Sequence, residues 1–174
     1  IFILPYKYVC NIRFACSNEA GKFLYGKKDF EFIPNGIDID RFRFDPKKRK
    51  QIRSQYNISE NAYVIGNVGR LNIQKNQQFL IDIFAKVREV NKDAVLLIIG
   101  TGELHDELVD YVKTEKMEDC VLFPGVHSNV QDYYSAMDVF CLPSLFEGLP
   151  LTAVEAQASG LMTVLSDNIA KQVE

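Results

Sequence analysis

The chain has 174 residues, 47% of them hydrophobic and 25% charged, a composition that fits one soluble globular domain with a single core. A formal net charge of −3 and a pI near 5.5 argue against the basic surface of a sequence-independent nucleic-acid binder, and no nucleic-acid partner is expected. No apolar run approaches the ~20 residues that span a bilayer, and Ile1 to Leu4 is too short for a signal-peptide core, so a cytoplasmic protein is expected.

Residues 1–45 read differently from the rest of the chain. A strand is predicted at Ile12 to Ser17, a short helix from Asn18 to about Tyr25 that Gly26 stops, a strand at Phe30 to Ile33, and a turn at Asn35-Gly36. Asp38 and Asp40 form an Asp-x-Asp. In a turn such residues more often cap or hydrogen-bond local backbone than hold a metal, and no metal site is assigned. Pro46 starts a helix carrying Lys47, Lys48, Arg49 and Lys50, read as a solvated face, with peripheral contact to an anionic membrane left open. Asn57-Ile58-Ser59 matches a glycosylation acceptor, a pattern short enough to occur by chance.

From there β-branched runs alternate with amphipathic windows. Strands are predicted at Tyr63 to Val68, Ala94 to Ile99, Val121 to Phe123, Asp138 to Leu142 and Thr163 to Leu165. Phe79, Leu80, Ile83, Phe84 and Val87 mark a core-facing helix with Asn91 as its stop. Leu104, Leu108, Val109 and Val112 mark a second helix, Asn129 to Ala136 a third, and a fourth runs through Glu155 to Ala158. The alternation predicts an α/β fold, a Rossmann-like doubly wound parallel sheet. Cys10, Cys16, Cys120 and Cys141 have neither zinc-site nor Cys-x-x-Cys spacing and read as free thiols. With no initiator Met and no helix after the last strand, both ends are expected to be boundaries of a fragment.

An open parallel sheet binds ligands at the carboxyl ends of its strands, and the candidate chemistry collects there. Gly69-Arg70-Leu71 closes the first of these strands and Lys75 follows; two cations beside helix N-termini suit a diphosphate, although each alone also suits a surface ion pair. In Phe146-Glu147-Gly148-Leu149-Pro150-Leu151-Thr152, Gly148 admits an anion close to backbone N–H groups and Pro150 pre-sets the first helical turn. Glu155, a little over a turn inside that helix, can accept from two vicinal hydroxyls and Glu147 from a sugar hydroxyl; the plainer alternative makes Glu155 a helix-stabilising acid. Gly100-Thr101-Gly102 lacks the third glycine of a dinucleotide fingerprint, and no P-loop is present. His105 reads as a helix-surface residue, and His127 as either a pocket lining or plain loop; neither has a nucleophile beside it.

Val68-Gly69-Arg70-Leu71 with Lys75-Asn76, Gly100-Thr101-Gly102, Phe123-Pro124-Gly125, and Glu147-Gly148-Leu149-Pro150 through Glu155-Ala156 together resemble the retaining glycosyltransferases of family 4, which have the GT-B fold. The resemblance covers roughly residues 12 to 174, and the two glutamates eight residues apart are its most specific part. It implies that residues 46–174 are the C-terminal donor-binding domain with its closing helices missing. Residues 1–45 would be the end of an N-terminal domain and the linker. The donor would be a nucleotide-diphosphate sugar, a UDP-sugar favoured, transferred with retention and without a metal or other cofactor.

Under that resemblance Arg70 and Lys75 hold the diphosphate and stabilise the leaving group. Glu155 binds the ribose, Glu147 the donor sugar, the backbone from Gly148 through Leu149 and Pro150 to Leu151 the sugar or distal phosphate, and residues near Gly102 and Val126 border the base. Gly69 belongs to the same set, and no catalytic nucleophile is assigned. The acceptor, a saccharide or lipid-linked saccharide, would be bound by the missing domain, and the likeness to capsular and exopolysaccharide enzymes points to the inner face of the membrane. Met162 departs from a frequent proline and Gln172 from a frequent glutamate. Two other readings stand beside this one: an epimerase-like relative, which would show acid and base groups, and a non-catalytic nucleotide-binding module, which would tolerate loss of Arg70, Lys75 and Glu155.

Overall fold

Successive residues of a strand face opposite ways, so Val64, Leu97, Ile99, Phe140 and Leu142 join one apolar cluster while Ile65, Leu96, Ile98 and Val139 join another. In the computed structural model, which describes residues 11–33 and 35–169, these residues lie in a five-stranded parallel sheet covered by helices on both faces. Before it come β1 (Phe14–Ala15) and β2 (Glu31–Phe32), a parallel pair joined through α1 (Asn18–Tyr25). Ser17 caps α1 by accepting from the Ala20 N–H at 3.0 Å, and Gly26 at φ 67 ends it. Both strands are shorter than predicted, and Asn35-Gly36 lies in irregular chain rather than a turn.

Next are α2 (Ile39–Phe42), which the sequence reading missed, and α3 (Pro46–Gln55). Asp38 caps α2 by accepting from the Arg41 N–H, in keeping with the local reading of that acid. Asp45 caps α3, and Asn57 takes the left-handed conformation (φ 54) just past its end. The main sheet is built from β3 (Val64–Val68), α4 (Gln77–Val90), β4 (Val95–Ile99), α5 (His105–Thr114), β5 (Val121–Gly125), α6 (Val130–Ala136), β6 (Val139–Leu142), α7 (Leu151–Ala158) and β7 (Met162–Leu165). Strand order is β5-β4-β3-β6-β7, so the chain builds outward from β3 and then crosses to its other side. That crossing makes the gap between β3 and β6 the topological switch point.

Three further sequence expectations need correcting. Phe79 and Ile83 are 51% and 40% exposed; Leu80, Ile81 and Phe84 carry the core contact of α4, because the apolar stripe is wider than the surface available to it. Pro150 stands at the N-cap of α7 rather than in its first turn. The basic run on α3 is not simply solvated: Lys48 pairs with Asp132 at 3.1 Å, and Arg49 donates to Asp138 at 2.6 Å.

Asp138 is the meeting point of α3, β3 and β6. Its Oδ2 accepts from the Val64 N–H at 2.7 Å and from Arg53 at 2.8 Å. Arg53 is wholly buried, and its remaining donors go to the carbonyls of Ala136, Ser59, Glu60 and Ala62. Burial lowers the Arg53 pKa, an effect that Asp138 opposes. For Asp138 burial pushes the carboxyl up, but the Val64 N–H and the two guanidinium groups outweigh it and hold the group below the ordinary aspartate value.

The stability contributed by Asp138 is therefore present above the ordinary aspartate pKa and lost as pH falls through its lowered folded value. Asp138→Asn, which leaves Arg53 buried opposite a neutral group, should cost about 3–5 kcal/mol in urea denaturation at neutral pH and flatten the acid limb of the stability profile.

Candidate functional site

β3 and β6 pair only at Ile65↔Val139 and Gly66↔Phe140. Beyond that point Asn67, fully buried, bridges them by donating from Nδ2 to the Cys141 carbonyl at 2.7 Å. Gln77, at the start of α4, donates to the Arg70 carbonyl at 3.0 Å and so ties down the chain leaving β3. These buried amides hold open the carboxyl end of the switch point.

On the β4 side of β3, at the carboxyl ends of these two strands, lies a recess of about 340 Å³. Its walls are Val68, Gly69 and Arg70 at the end of β3, Ile99, Gly100 and Thr101 at the end of β4, Val126 and His127 after β5, and Val130 at the start of α6. His127 stacks on Tyr133 with ring centroids 4.6 Å apart and hydrogen-bonds the Pro124 carbonyl through Nε2 at 3.1 Å, so the pocket alternative holds for this residue. Arg70 is largely exposed at the rim, 3.3 Å from Glu103. Of the predicted residues, Gly69, Arg70 and Val126 thus share one recess.

Gly102 does not line it. A Cβ there would come within 2.1 Å of the Leu71 carbonyl oxygen, so this glycine serves close packing of two loops. Gly100, at φ 138, is likewise pressed on the Gly69 carbonyl.

Lys75 ends a 3₁₀ turn (Ile73–Lys75) capped by Asn72, and its side chain passes over Gly69. The turn docks on the loop after β6: Leu145 N–H donates to the Gln74 carbonyl at 2.8 Å, and Gln74 Nε2 donates to the Phe146 carbonyl at 2.9 Å. That docking brings Lys75 Nζ to Glu147 Oε1 at 2.5 Å, where Ser144 Oγ also donates at 2.9 Å. Lys75 and Glu147, widely separated in sequence, form one nearly buried ion pair. Gly148, Leu149, Pro150 and Leu151 carry the chain from Glu147 into α7; Gly148 faces Ser17 of the N-terminal segment, and Leu149 packs on the core.

Glu155, one turn into α7, accepts from the Tyr134 hydroxyl through Oε2 at 2.9 Å. Burial raises its pKa, while Tyr134 and then Arg41 oppose the rise. Val130 and Tyr134 are four residues apart on α6 and so share a face: one lines the recess, the other holds Glu155. Sequence reasoning missed Tyr134, Ser144 and Gln74, because nothing in their spacing distinguishes them from packing or surface residues. Cys120 and Cys141 are free, and burial raises both thiols, Cys141 to about 11; Cys16 is also free, and Cys10 lies outside the described residues.

Residues 48–173 match the family described as glycosyl transferases group 1. The chain belongs to that family. It is 34% identical over 165 residues to EpsF of Bacillus subtilis (strain 168), named as a glycosyltransferase, covering 92% of this chain and 43% of that protein. It is 31% identical over 167 residues to the UDP-Gal:alpha-D-GlcNAc-diphosphoundecaprenol alpha-1,3-galactosyltransferase of Escherichia coli, covering 91% of this chain and 43% of that one. The chain therefore spans less than half the length of these relatives. The crystal structure of Anabaena Alr3699/HepE in complex with UDP and glucose superposes with a TM-score of 0.84 at 22% identity, over 95% of this chain and 46% of that one. The architecture is the Rossmann-like fold of GT-B glycosyltransferases.

Gly100→Ala would set a methyl group 1.9 Å from the Gly69 carbonyl oxygen at a backbone angle that disfavours a side chain. It should destabilise the protein by at least ~1–3 kcal/mol in urea denaturation, and the β3 and β4 loops that frame the recess should lose amide protection from hydrogen exchange.

Proposed function

We propose that this chain is the nucleotide-sugar-binding part of a retaining glycosyltransferase of cell-surface polysaccharide assembly. The observation that carries the reading is the recess at the carboxyl ends of β3 and β4, with Arg70 at its rim, Lys75 passing over Gly69 and Glu155 held one helical turn of α6 from Val130. The apolar wall beside His127 and Val126 suits a base. Glu155 suits the ribose hydroxyls, and the two cations suit a diphosphate. Glu147, held by Lys75 and Ser144 through Oε1, is set to grip the donor sugar, with the chain from Gly148 to Leu151 beside it.

The reaction would break the bond between the anomeric carbon and the diphosphate and form one to an acceptor hydroxyl oxygen on the same face of the sugar, the hydroxyl proton passing to the departing diphosphate. Negative charge then grows on the diphosphate, and Arg70 and Lys75 offset it. Lys75 would exchange Glu147 for phosphate in part, which couples arrival of the donor to release of the glutamate. A UDP-sugar is the favoured donor: the Escherichia coli relative is named for UDP-Gal, and the Anabaena structure holds UDP and glucose.

That relative is also named for a diphosphoundecaprenol-linked substrate, which supports a lipid-linked saccharide as acceptor and work at the inner face of the membrane. The part of such a protein beyond residues 46–174 would bind the acceptor, with residues 1–45 as the end of a preceding domain and the linker. Among the described residues no helix is long and apolar enough to cross a membrane.

Calorimetric titration with UDP, GDP, ADP and NAD tests the reading. One nucleoside diphosphate should bind, and at 100 times its dissociation constant it should stabilise the fold by ~2.7 kcal/mol. Glu155→Ala and Arg70→Ala should each weaken that binding at least tenfold, about 1.4 kcal/mol or more, with the fold intact by circular dichroism. Undiminished binding by both variants would remove the site assignment.

A further inference from the structure

Tyr134 stands out among the buried polar groups that the proposed function leaves unused. Its ring is fully buried and held edge-on by Phe42 and Phe140, with centroids 6.0 and 5.9 Å away. Such a ring has no freedom to follow a mobile partner. Its hydroxyl has one proton and two acceptors in reach: the Thr152 carbonyl at 3.2 Å and Glu155 Oε2 at 2.9 Å. The shorter contact is the one to the group that can carry charge, as expected of a charge-assisted bond. Both acceptors are on α7, so this one hydroxyl registers α6 against α7 at the point where Glu155 emerges.

We propose that Tyr134 is a positioning residue for the nucleotide: its hydroxyl locks Oε2 of Glu155, so that Oε1 is presented, in a fixed rotamer, to the vicinal hydroxyls of the ligand ribose. This rests on the reading of Glu155 as the ribose clamp. An unheld glutamate would lose rotamer freedom on binding, and Tyr134 removes that loss in advance. A carboxylate fixed through one oxygen still has acceptor capacity on the other for hydroxyl donors.

The same bond sets the charge state of the clamp. Among the described residues, the groups that act on Glu155 are Tyr134 from α6 and Arg41 from α2, and both favour the carboxylate against the burial that disfavours it. A clamp that accepts from two hydroxyls must be ionised, so nucleotide affinity should fall as pH drops through the raised value of Glu155. Without the phenol hydroxyl the carboxyl loses one of the two groups that keep it ionised, and the fall begins at a higher pH.

The test is calorimetry of the chain with UDP and with its 2′,3′-dideoxy analogue, for the unaltered protein, Tyr134→Phe, Glu155→Ala and the double variant, across the acid to neutral range. Tyr134→Phe should lower UDP affinity about tenfold, equal to ~1.4 kcal/mol, move the acid limb to higher pH, leave the dideoxy analogue unaffected, and cost nothing further once Glu155 is alanine. If Tyr134→Phe binds UDP as the unaltered protein does while Glu155→Ala weakens it, the positioning role is overturned and the clamp stands. If Glu155→Ala binds UDP normally, the clamp fails and the positioning role with it. Should Tyr134→Phe not fold, 3-fluorotyrosine placed at 134 keeps the ring and makes the hydroxyl a stronger donor. It should move the acid limb to lower pH, and an unmoved limb overturns the proposal.

Discussion

Asp138 lies between two guanidinium groups and the Val64 N–H at the start of β6, and the position of β6 beside β3 depends on that contact. Arg53 enters from α3 with no exposed surface and spends its other donors on carbonyls that precede β3 and β6. A buried guanidinium is costly unless all of its N–H groups are used, so this set of contacts has few alternatives of comparable energy. One constraint thereby fixes which strand lies beside β3 on its far side, and hence where the switch point opens. Gly66 serves the same junction, since a Cβ there would overlap the Met137 side chain.

The half of the candidate site formed by the chain after β3 and the loop after β6 hangs from that junction. Asn67 spans β3 and β6 just where they separate, and Gln77 anchors the chain that carries Arg70. The loop after β6 reaches back to the 3₁₀ turn through Gln74, which brings Lys75 to Glu147. α6 presents Val130 to the recess and Tyr134 to Glu155. Of the candidate site residues, Lys75, Glu147 and Glu155 are thus each held by a polar neighbour, while Arg70 stays exposed at the rim. Such support is the physical meaning of a preorganised site.

The exposed apolar residues beside the β6–β7 edge of the sheet behave differently. Phe79 and Ile83 on α4 border a groove of about 230 Å³ that Val164 and Leu165 of β7 also line. Met162, where the family resemblance leads one to expect proline, is 71% exposed on that edge strand and makes no demand on the core. Gln172, where the resemblance leads one to expect glutamate, lies outside the described residues.

The sequence by itself determined the strand and helix alternation of the main sheet, because runs such as Val95 to Ile99 are apolar on both faces and allow one placement only, between two helical layers. It also marked the helix ends at Gly26 and Asn91, where backbone chemistry is local. Gly69 and Arg70 could be assigned to one end of the sheet from the rule that loops at strand carboxyl ends carry ligands, while Val126 followed only from the family resemblance. What it did not contain was pairing at a distance. Arg49 read as part of a solvated basic face until the fold set Asp138 beside it, and Tyr134, which the sequence marked only as part of a helix, met Glu155 only when α7 came within reach. Each of these depends on where two remote segments meet, and only the tertiary structure decides that, because the energy of a polar contact comes from its burial and its partner and neither is a property of the residue alone.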